Sequence, residues 1–235
     1  MEINAVLFDL DGTLLPMNQN DFIRGYLGLL AKKLAPLGYE SQKFLDSMRT
    51  GVRAVMLNDG SMRNEELFWK VFGGCYKHDV RKDEPVFEEF YNNEFHQAKA
   101  FCGENPGVKE MIEDLRKRGK KVVLATSPFF PAIATRNRMG WVGLAPEDFD
   151  YVTTYENCSF TKPNKNYYEG VLEVIGCKAE ECLMIGNDVS DDMVTEEMGM
   201  QVFLLTDCLI NKHEKDISRY PQGNMEELKA YLHTI

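Results

Sequence analysis

Ala5-Val6-Leu7-Phe8-Asp9-Leu10-Asp11-Gly12-Thr13 stands near the start of the chain, and in it an apolar run stops at two carboxylates. Side chains two apart in a strand share a face, so Asp9 and Asp11 should converge just beyond the strand end. Two close carboxylates raise each other's pKa unless a cation neutralises them. The stretch indicates either metal-assisted acid, base or nucleophile chemistry or a strand that ends in an ordinary Asp-Gly turn, and the choice depends on whether the rest of the chain supplies the missing partners.

The composition is that of a globular protein. The chain has 235 residues, of which 44% are hydrophobic and 27% charged, enough for one large domain or two small ones. The formal net charge is −10, which argues against a nucleic-acid partner because such proteins carry basic surfaces. A small anionic substrate is compatible with this charge, because a local cation can reverse the sign of the field in a cleft.

Targeting and redox signals are weak in this sequence. The first residues carry no basic leader, and no segment has the apolar length that a membrane span requires. The six cysteines are scattered without a Cys-x-x-Cys pair, which favours reduced thiols over zinc or disulfides. We expect a cytoplasmic protein with no membrane partner.

The chain changes character twice along its length. After a strand over 3–8, apolar residues recur at helical spacing within 22–34, 44–56, 64–77 and 85–99. Strand and helix patterns then alternate. We predict strands over 121–125, 151–153, 182–185 and 201–205, and helices over 131–139, 166–175, 191–198 and 225–233, with one more helix capped by Asn105 and ended by Gly119.

This order predicts an α/β fold in which βαβ units build a parallel sheet. We assign 1–16 and 101–235 to the sheet domain, and 17–100 to an inserted bundle of four helices that acts as a cap domain. Sites in open α/β sheets lie beyond the carboxyl ends of the strands. Polar residues follow three of the strands there: Asp9 and Asp11, then Thr126 and Ser127, then Asn187, Asp188, Asp191 and Asp192.

A divalent cation suits the last of these groups. Asp188 at a strand end and Asp192 in the first turn that follows could both face the cleft and hold Mg²⁺ through oxygen. Asp191 is more simply explained as a complement to the helix dipole. Lys162 precedes Pro163 and is either a solvated surface lysine or a fixed counter-charge beside the acidic groups.

Taken together, these residues resemble the four motifs of the haloacid dehalogenase-like (HAD) hydrolase superfamily. The motifs are Asp9-x-Asp11-Gly12-Thr13, a hydrophobic strand that ends in Thr126, Lys162-Pro163, and Gly186-Asn187-Asp188 with Asp192. The resemblance implies a three-layer, Rossmann-like core. The insert resembles the helical C1 cap of subfamily I, which is similar to the phosphoglycolate phosphatase and β-phosphoglucomutase group.

The resemblance also implies a role for each position. Asp9 would be the nucleophile that forms an aspartyl-phosphate, and Asp11 the general acid and then the base. The remaining roles are phosphoryl binding by Thr126 with Ser127, a bridge from Lys162 to Asp9 and the phosphoryl group, and Mg²⁺ ligation by Asp9, the Asp11 carbonyl, Asp188 and Asp192. Dehalogenases of the superfamily lack the second aspartate of the first motif, so Asp11 favours phosphoryl transfer. The fourth motif reads Gly-Asn-Asp where Gly-Asp is commoner, which leaves Asn187 and Asp191 as alternative ligands.

The cap offers fewer signals about the substrate. Arg49 and Arg53 lie four apart on one helix face and could meet an anionic group, although solvated arginines are the commoner case. Phe129 and Phe130 follow Ser127 closely and would either wall the pocket or pack against the cap. We predict a Mg²⁺-dependent phosphatase for a small phosphorylated metabolite, as a monomer or small homo-oligomer. The alternatives are an intramolecular sugar phosphomutase and a non-catalytic binding protein of the same fold.

Overall fold

A six-stranded parallel sheet forms the centre of the protein, whose computed structural model describes residues 2–235. Its strands are Ala5–Phe8 (β1), Lys121–Leu124 (β2), Tyr151–Val152 (β3), Cys182–Gly186 (β4), Gln201–Leu205 (β5) and Gln222–Gly223 (β6). They run in the order β3-β2-β1-β4-β5-β6. The predicted strands are present, and β6 is an addition that no apolar pattern signals in the sequence.

Strand β1 lies in the middle of the sheet because every one of its side chains is apolar. Ala5 pairs with Lys121 of β2 and with Cys182 of β4. Val6 and Phe8 belong to the core on one face of the sheet, and Ala5 and Leu7 to the core on the other, all with no exposed surface. Helices cover both faces, as burial of a parallel sheet requires, so the predicted three-layer α/β architecture is confirmed.

The segment over 17–100 is helical, as the periodicity indicates. Its α-helices are Gln19–Leu34 (α1), Ser41–Met56 (α2), Asn64–Gly74 (α3) and Glu84–Asn92 (α4). The fourth predicted helix is shorter than expected, and a 3₁₀ helix over Glu94–Phe101 follows it. The side-chain amides of Asn92 and Asn93 donate to the backbone carbonyls of Glu88 and Glu89. They thereby compete with backbone N–H groups for the acceptors at the end of α4.

The chain leaves and re-enters the sheet region at one place. Met17 pairs with Cys102 in an antiparallel bridge, and the amide of Gly103 donates to the carbonyl of Pro16 at 2.7 Å. The helical insert is therefore connected to the sheet region by two adjacent segments of the chain, one that enters the insert and one that leaves it. The division into a 17–100 cap and a 1–16 plus 101–235 core stays a prediction, and residue 1 lies outside the described residues.

Four helices flank the sheet in the rest of the chain: Val108–Lys117 (α5), Ala132–Trp141 (α6), Lys165–Ile175 (α7) and Met225–Leu232 (α8). The expected cap Asn105 does not cap α5. Gly107 holds that position, because the Asn105 amide instead donates to the Leu14 carbonyl at 2.8 Å. The helix expected over 191–198 is a 3₁₀ helix over Met193–Met198. Within residues 2–235 no helix has the length and hydropathy needed to cross a bilayer. The cytoplasmic location stays a prediction.

Candidate active site

Asp9 follows β1 directly and is held in the plane of the sheet. Its amide donates to the carbonyl of Ile185 at 2.9 Å, which continues the pairing of β1 with β4. The hydroxyl of Thr13 lies 3.3 Å from Asp9 Oδ2 and 3.0 Å from Asn187 Oδ1. A single hydroxyl proton serves one of these acceptors at a time. The first and fourth predicted motifs therefore meet at this hydroxyl.

Gly12 allows the first and fourth motifs to approach each other closely. Its φ of 89° lies in the left-handed region, which glycine adopts without steric cost. A Cβ at this position would overlap the side-chain amide of Asn187. The glycine of the first motif thus serves both the turn and the close approach of the fourth motif.

Lys162 joins two carboxylates in the interior. Its Nζ donates to Asp9 Oδ1 at 2.9 Å and to Asp192 Oδ1 at 2.6 Å, and its side chain is 1% exposed. Burial acts to lower the pKa of Lys162, but the carboxylates of Asp192 and Asp9 outweigh burial and hold the pKa well above its usual value. Lys162 is therefore a fixed cation at the end of β1, and its peptide bond to Pro163 is cis.

Asp192 is oriented by its neighbours on both sides. Its Oδ1 accepts from Lys162, and its Oδ2 accepts from the amide of Asp188 at 3.0 Å. A Cβ at Gly186 would overlap this carboxylate. Burial raises the pKa of Asp192, and Lys162 opposes that rise. These contacts favour an anchoring role for Asp192 over direct metal ligation.

The three other residues of the fourth motif region differ in their surroundings. Asp188 is half-buried, and its Oδ1 accepts from the amides of Ser190 and Asp191 at 2.8 and 3.1 Å. Asn187 is 1% exposed and donates to the carbonyl of Cys208 at 2.6 Å. Burial raises the pKa of Asp191, and the nearby Asp188 raises it further. Asn187 thus ties loops together, whereas Asp188 keeps an oxygen available at the strand end.

Thr126 and Ser127 lie where β2 ends. The carbonyl of Thr126 accepts from Thr153 Oγ1 at 2.7 Å and from the Tyr167 hydroxyl at 2.9 Å. The Thr126 side chain is buried, and its hydroxyl takes part in none of the hydrogen bonds found among residues 2–235. Ser127 is half-buried. The backbone of this turn is therefore fixed, while the Thr126 hydroxyl remains available to a ligand.

Arg138 is a residue of this candidate site that the sequence patterns did not single out. It lies on α6 with no exposed surface, and its Nη1 forms an ion pair with Asp11 Oδ2. Its Nη2 donates to Thr135 Oγ1 at 3.2 Å, and its guanidinium lies 4.1 Å from the ring centroid of Phe130. One signal was present in the sequence, because Arg138 falls four residues after Ala134, on the apolar face of the predicted helix.

This pairing sets the charge environment of Asp11. Burial raises the pKa of Asp11, Arg138 opposes the rise, and the carboxylate of Asp9 adds to it. Asp11 Oδ1 is buried and has no hydrogen-bond partner within the described part of the chain. One oxygen of Asp11 is thus held by Arg138, and the other is buried without a partner among the described residues.

The predicted substrate-binding arginines lie apart from these residues. Arg49 is exposed and paired with Asp46 at 2.8 Å, at the edge of a cavity that Phe129 and Phe130 also line. Arg53 is exposed on the same helix and does not line that cavity. Phe130 also packs on Phe22 and Tyr26, so the wall and packing interpretations both apply to it.

The site carries an excess of negative charge. Five carboxylates surround two buried cations, Lys162 and Arg138; they are those of Asp9, Asp11, Asp188, Asp191 and Asp192. Among residues 2–235, no group of three or more acidic, histidine or cysteine side chains is arranged to hold a metal ion. A metal here would need to complete its shell with backbone oxygen and water.

Comparison with known proteins identifies the family. A family model described as haloacid dehalogenase-like hydrolase matches residues 3–195. The chain belongs to this family. The match covers all four motifs, from the strand before Asp9 to the turn after Asp192, and confirms the predicted hydrolase.

Individual members of the HAD family are distant in sequence. The chain is 27% identical over 199 residues to pyrophosphatase PpaX of Bacillus cereus, covering 81% of this chain and 77% of that protein. A HAD phosphatase from Thermococcus onnurineus superposes with a TM-score of 0.60 at 22% identity, covering 99% and 98% of the two chains. A 2-haloacid dehalogenase from Pseudomonas syringae superposes with a TM-score of 0.62 at 18% identity, with the same coverage. The two structures show the shared fold.

Proposed function

We propose that the protein is a Mg²⁺-dependent phosphatase that hydrolyses a small phosphorylated metabolite through an aspartyl-phosphate. One observation carries this proposal: the Asp9 carboxylate, at the end of the central strand, is ion-paired with Lys162 at 2.9 Å beside a second, separately held carboxylate, Asp11. A nucleophile kept ionised next to a proton carrier is what a two-step phosphoryl transfer needs.

In the first step, an Asp9 oxygen attacks phosphorus, and the bond from phosphorus to the leaving-group oxygen breaks. Asp11, the ion-pair partner of Arg138 in the free protein, takes up a proton as the negatively charged phosphoryl group binds beside it, and donates that proton to the leaving-group oxygen. In the second step, water attacks the phosphorus of the aspartyl-phosphate, Asp11 takes the proton of the water, and Asp9 leaves as a carboxylate. Asp11 is thereby restored to its protonated form.

Lys162 keeps Asp9 ionised and offsets the charge that develops on the phosphoryl oxygens. Asp192, which is 1% exposed and 2.6 Å from Lys162, acts as a positioning residue for that ammonium group. The Thr126 hydroxyl and Ser127 bind the phosphoryl oxygens from the end of β2. The second motif, which ends in Thr126, thereby supplies neutral hydrogen-bond donors, whereas the first supplies the carboxylates of Asp9 and Asp11.

Mg²⁺ fits the charge of this site. Mg²⁺ is bound through one or two protein carboxylates and keeps several waters. The donors that would hold it are Asp9, Asp188 and the carbonyl of Asp11. When bound, it neutralises the excess carboxylate charge and the charge on the phosphoryl group.

The substrate is a phosphate monoester or an inorganic phosphoanhydride. The similarity to PpaX makes inorganic pyrophosphate one compound to include in a panel with phosphorylated metabolites. A phosphomutase would interconvert a sugar phosphate without net release of phosphate, and the same panel separates the two reactions.

The test measures phosphate release from the panel with Mg²⁺ or with EDTA. The wild type is compared with Asp9→Asn and with Asp59→Asn, an exposed aspartate of the helical insert that serves as the matched control. We expect Mg²⁺-dependent release by the wild type and Asp59→Asn, and at least a thousandfold less by Asp9→Asn. No release from any compound would refute the phosphatase, and release that survives Asp9→Asn would refute the mechanism.

A further inference from the structure

Hydrogen bonds join the start of α3, in the helical insert, to the segment 155–160 that follows β3. The backbone amides of Asn64 and Glu65 donate to the carbonyls of Cys158 and Tyr155, both at 2.9 Å. The first amides of an α-helix have no acceptor within the helix itself. Those of α3 find their acceptors in a distant part of the chain, so the helix and the segment are held together at this point.

The side chain of Asn64 adds a hydrogen bond in the interior. It has no exposed surface, and its Nδ2 donates to the carbonyl of Phe160 at 3.1 Å. Its Oδ1 accepts from Asn58 Nδ2 at 2.8 Å, which fixes the orientation of the amide and leaves Nδ2 for Phe160. Within residues 2–235, the bond from Asn64 is the one hydrogen bond that residues 159–160 make.

Phe160 lies close to Lys162 along the chain. Two residues span at most about 7 Å. Thr161 between them is 3% exposed, and its carbonyl accepts from the amide of Asn164 at 3.0 Å. This short, buried connection has little freedom of movement. A displacement of the Phe160 carbonyl would therefore move Lys162, whose Nζ lies 2.9 Å from Asp9 Oδ1.

The insert fits the Phe160 side chain as well as its carbonyl. Gly60 has a φ of 88°, and a Cβ there would overlap the Phe160 ring. The Gly60 amide donates to Asn58 Oδ1 at 3.1 Å, so the turn that receives the ring is tied to the residue that orients Asn64. These contacts fit the insert to the loop that leads to Lys162.

We propose that Asn64 is a positioning residue for Lys162. From the helical insert it holds the loop that places the Lys162 ammonium group against Asp9, and the ammonium group is fully in place when α3 is docked on the segment 155–160. This role rests on the proposed phosphatase function and adds to it that the insert takes part in arranging the nucleophile.

The anchoring is tested first without turnover, by hydrogen–deuterium exchange in EDTA. Asn64→Leu keeps the size of the side chain but leaves the Phe160 carbonyl without its donor. We expect a peptide over 155–165 to exchange at least about tenfold faster in this variant, because a buried acceptor has lost its partner. A peptide over 4–10 should not change, and neither peptide should change in Asn20→Leu, the same substitution at an exposed position of the insert.

The placement of the ammonium group is tested with orthovanadate and Mg²⁺, since vanadate stands in for the phosphoryl group in the transition state. We expect calorimetry to show at least about tenfold weaker vanadate binding in Asn64→Leu, and phosphate release to show a kcat lowered by a similar factor. A smaller folded fraction would lower kcat and the stoichiometry of binding, but it would leave the Kd for vanadate unchanged. The Kd therefore separates a positioning role from a merely structural one.

Unchanged exchange over 155–165, or faster exchange with an unchanged Kd for vanadate, would overturn the inference. Asn64→Ser, whose side chain is too short to reach the Phe160 carbonyl, provides the same comparison if Asn64→Leu does not fold. If vanadate binding weakens in the variant but no compound of the panel is hydrolysed by the wild type, the proposed phosphatase fails while the positioning role stands.

Discussion

Replacement of Arg138 by methionine should destabilise the protein more than most single substitutions. The guanidinium has no exposed surface, pairs with Asp11 and donates to Thr135. Methionine keeps an apolar body of similar length but leaves the Asp11 carboxylate buried without its cation. Removing one partner of a buried ion pair costs about 3–5 kcal/mol.

This cost predicts a large thermal effect. For a chain of this size, 1 kcal/mol corresponds to a change in Tm of about 2–4 °C. The product of the two ranges is a fall in Tm of roughly 6–20 °C. Thermal and urea unfolding in EDTA measure the effect of the ion pair without that of bound metal.

A double-mutant cycle separates the energy of the Arg138–Asp11 ion pair from that of the other interactions of Arg138. Asp11→Asn should also destabilise, because it leaves the buried guanidinium unpaired, and the double variant should be less destabilised than the sum of the two singles by about 2–3 kcal/mol. Arg136→Met, an exposed position on α6, is the matched control. A loss below about 1 kcal/mol for Arg138→Met, or additive losses in the double variant, would refute the role assigned to the pair.

Three further predictions concern residues around the site. Lys162→Met leaves two buried carboxylates without their shared cation, so we expect a loss of about 3–5 kcal/mol in urea unfolding and no phosphate release; near-wild-type stability would contradict this. Burial raises the pKa of Cys158 to about 11, so its alkylation in the native protein should accelerate about tenfold per pH unit from pH 7 to 10, as thiolate forms. Peptide mass spectrometry measures this rate, and rapid labelling at pH 7 would contradict it. Gly12→Ala should cost at least about 1–2 kcal/mol, since its φ is 89° and its Cβ would meet Asn187, whereas Gly140→Ala in α6 should be neutral or stabilising in the same thermal assay.

Much of the fold could be predicted from local patterns. The apolar run before Asp9 is buried on both faces of the sheet, so all of its residues are hydrophobic. That continuous pattern predicts a strand in the interior of the sheet. Strand β6 is two residues, Gln222–Gly223, held by backbone pairing to β5, and therefore leaves no side-chain pattern. The break after α4 depends on whether Asn92 and Asn93 donate to backbone carbonyls, which periodicity does not report.

The sequence by itself determined which polar residues lie near Asp9, because carboxylates, a hydroxyl and a lysine that follow strands of a parallel sheet gather at one edge of it. It also indicated a catalytic pair, since Asp9 and Asp11 lie two residues apart after a strand. Only the tertiary structure decided how the charges are paired. Arg138 reaches Asp11 across 127 residues, and Asp192 holds Lys162 across 30. Such partners depend on burial and distance in the folded chain, and the spacing that puts Arg138 on the apolar face of α6 does not identify Asp11 as its partner.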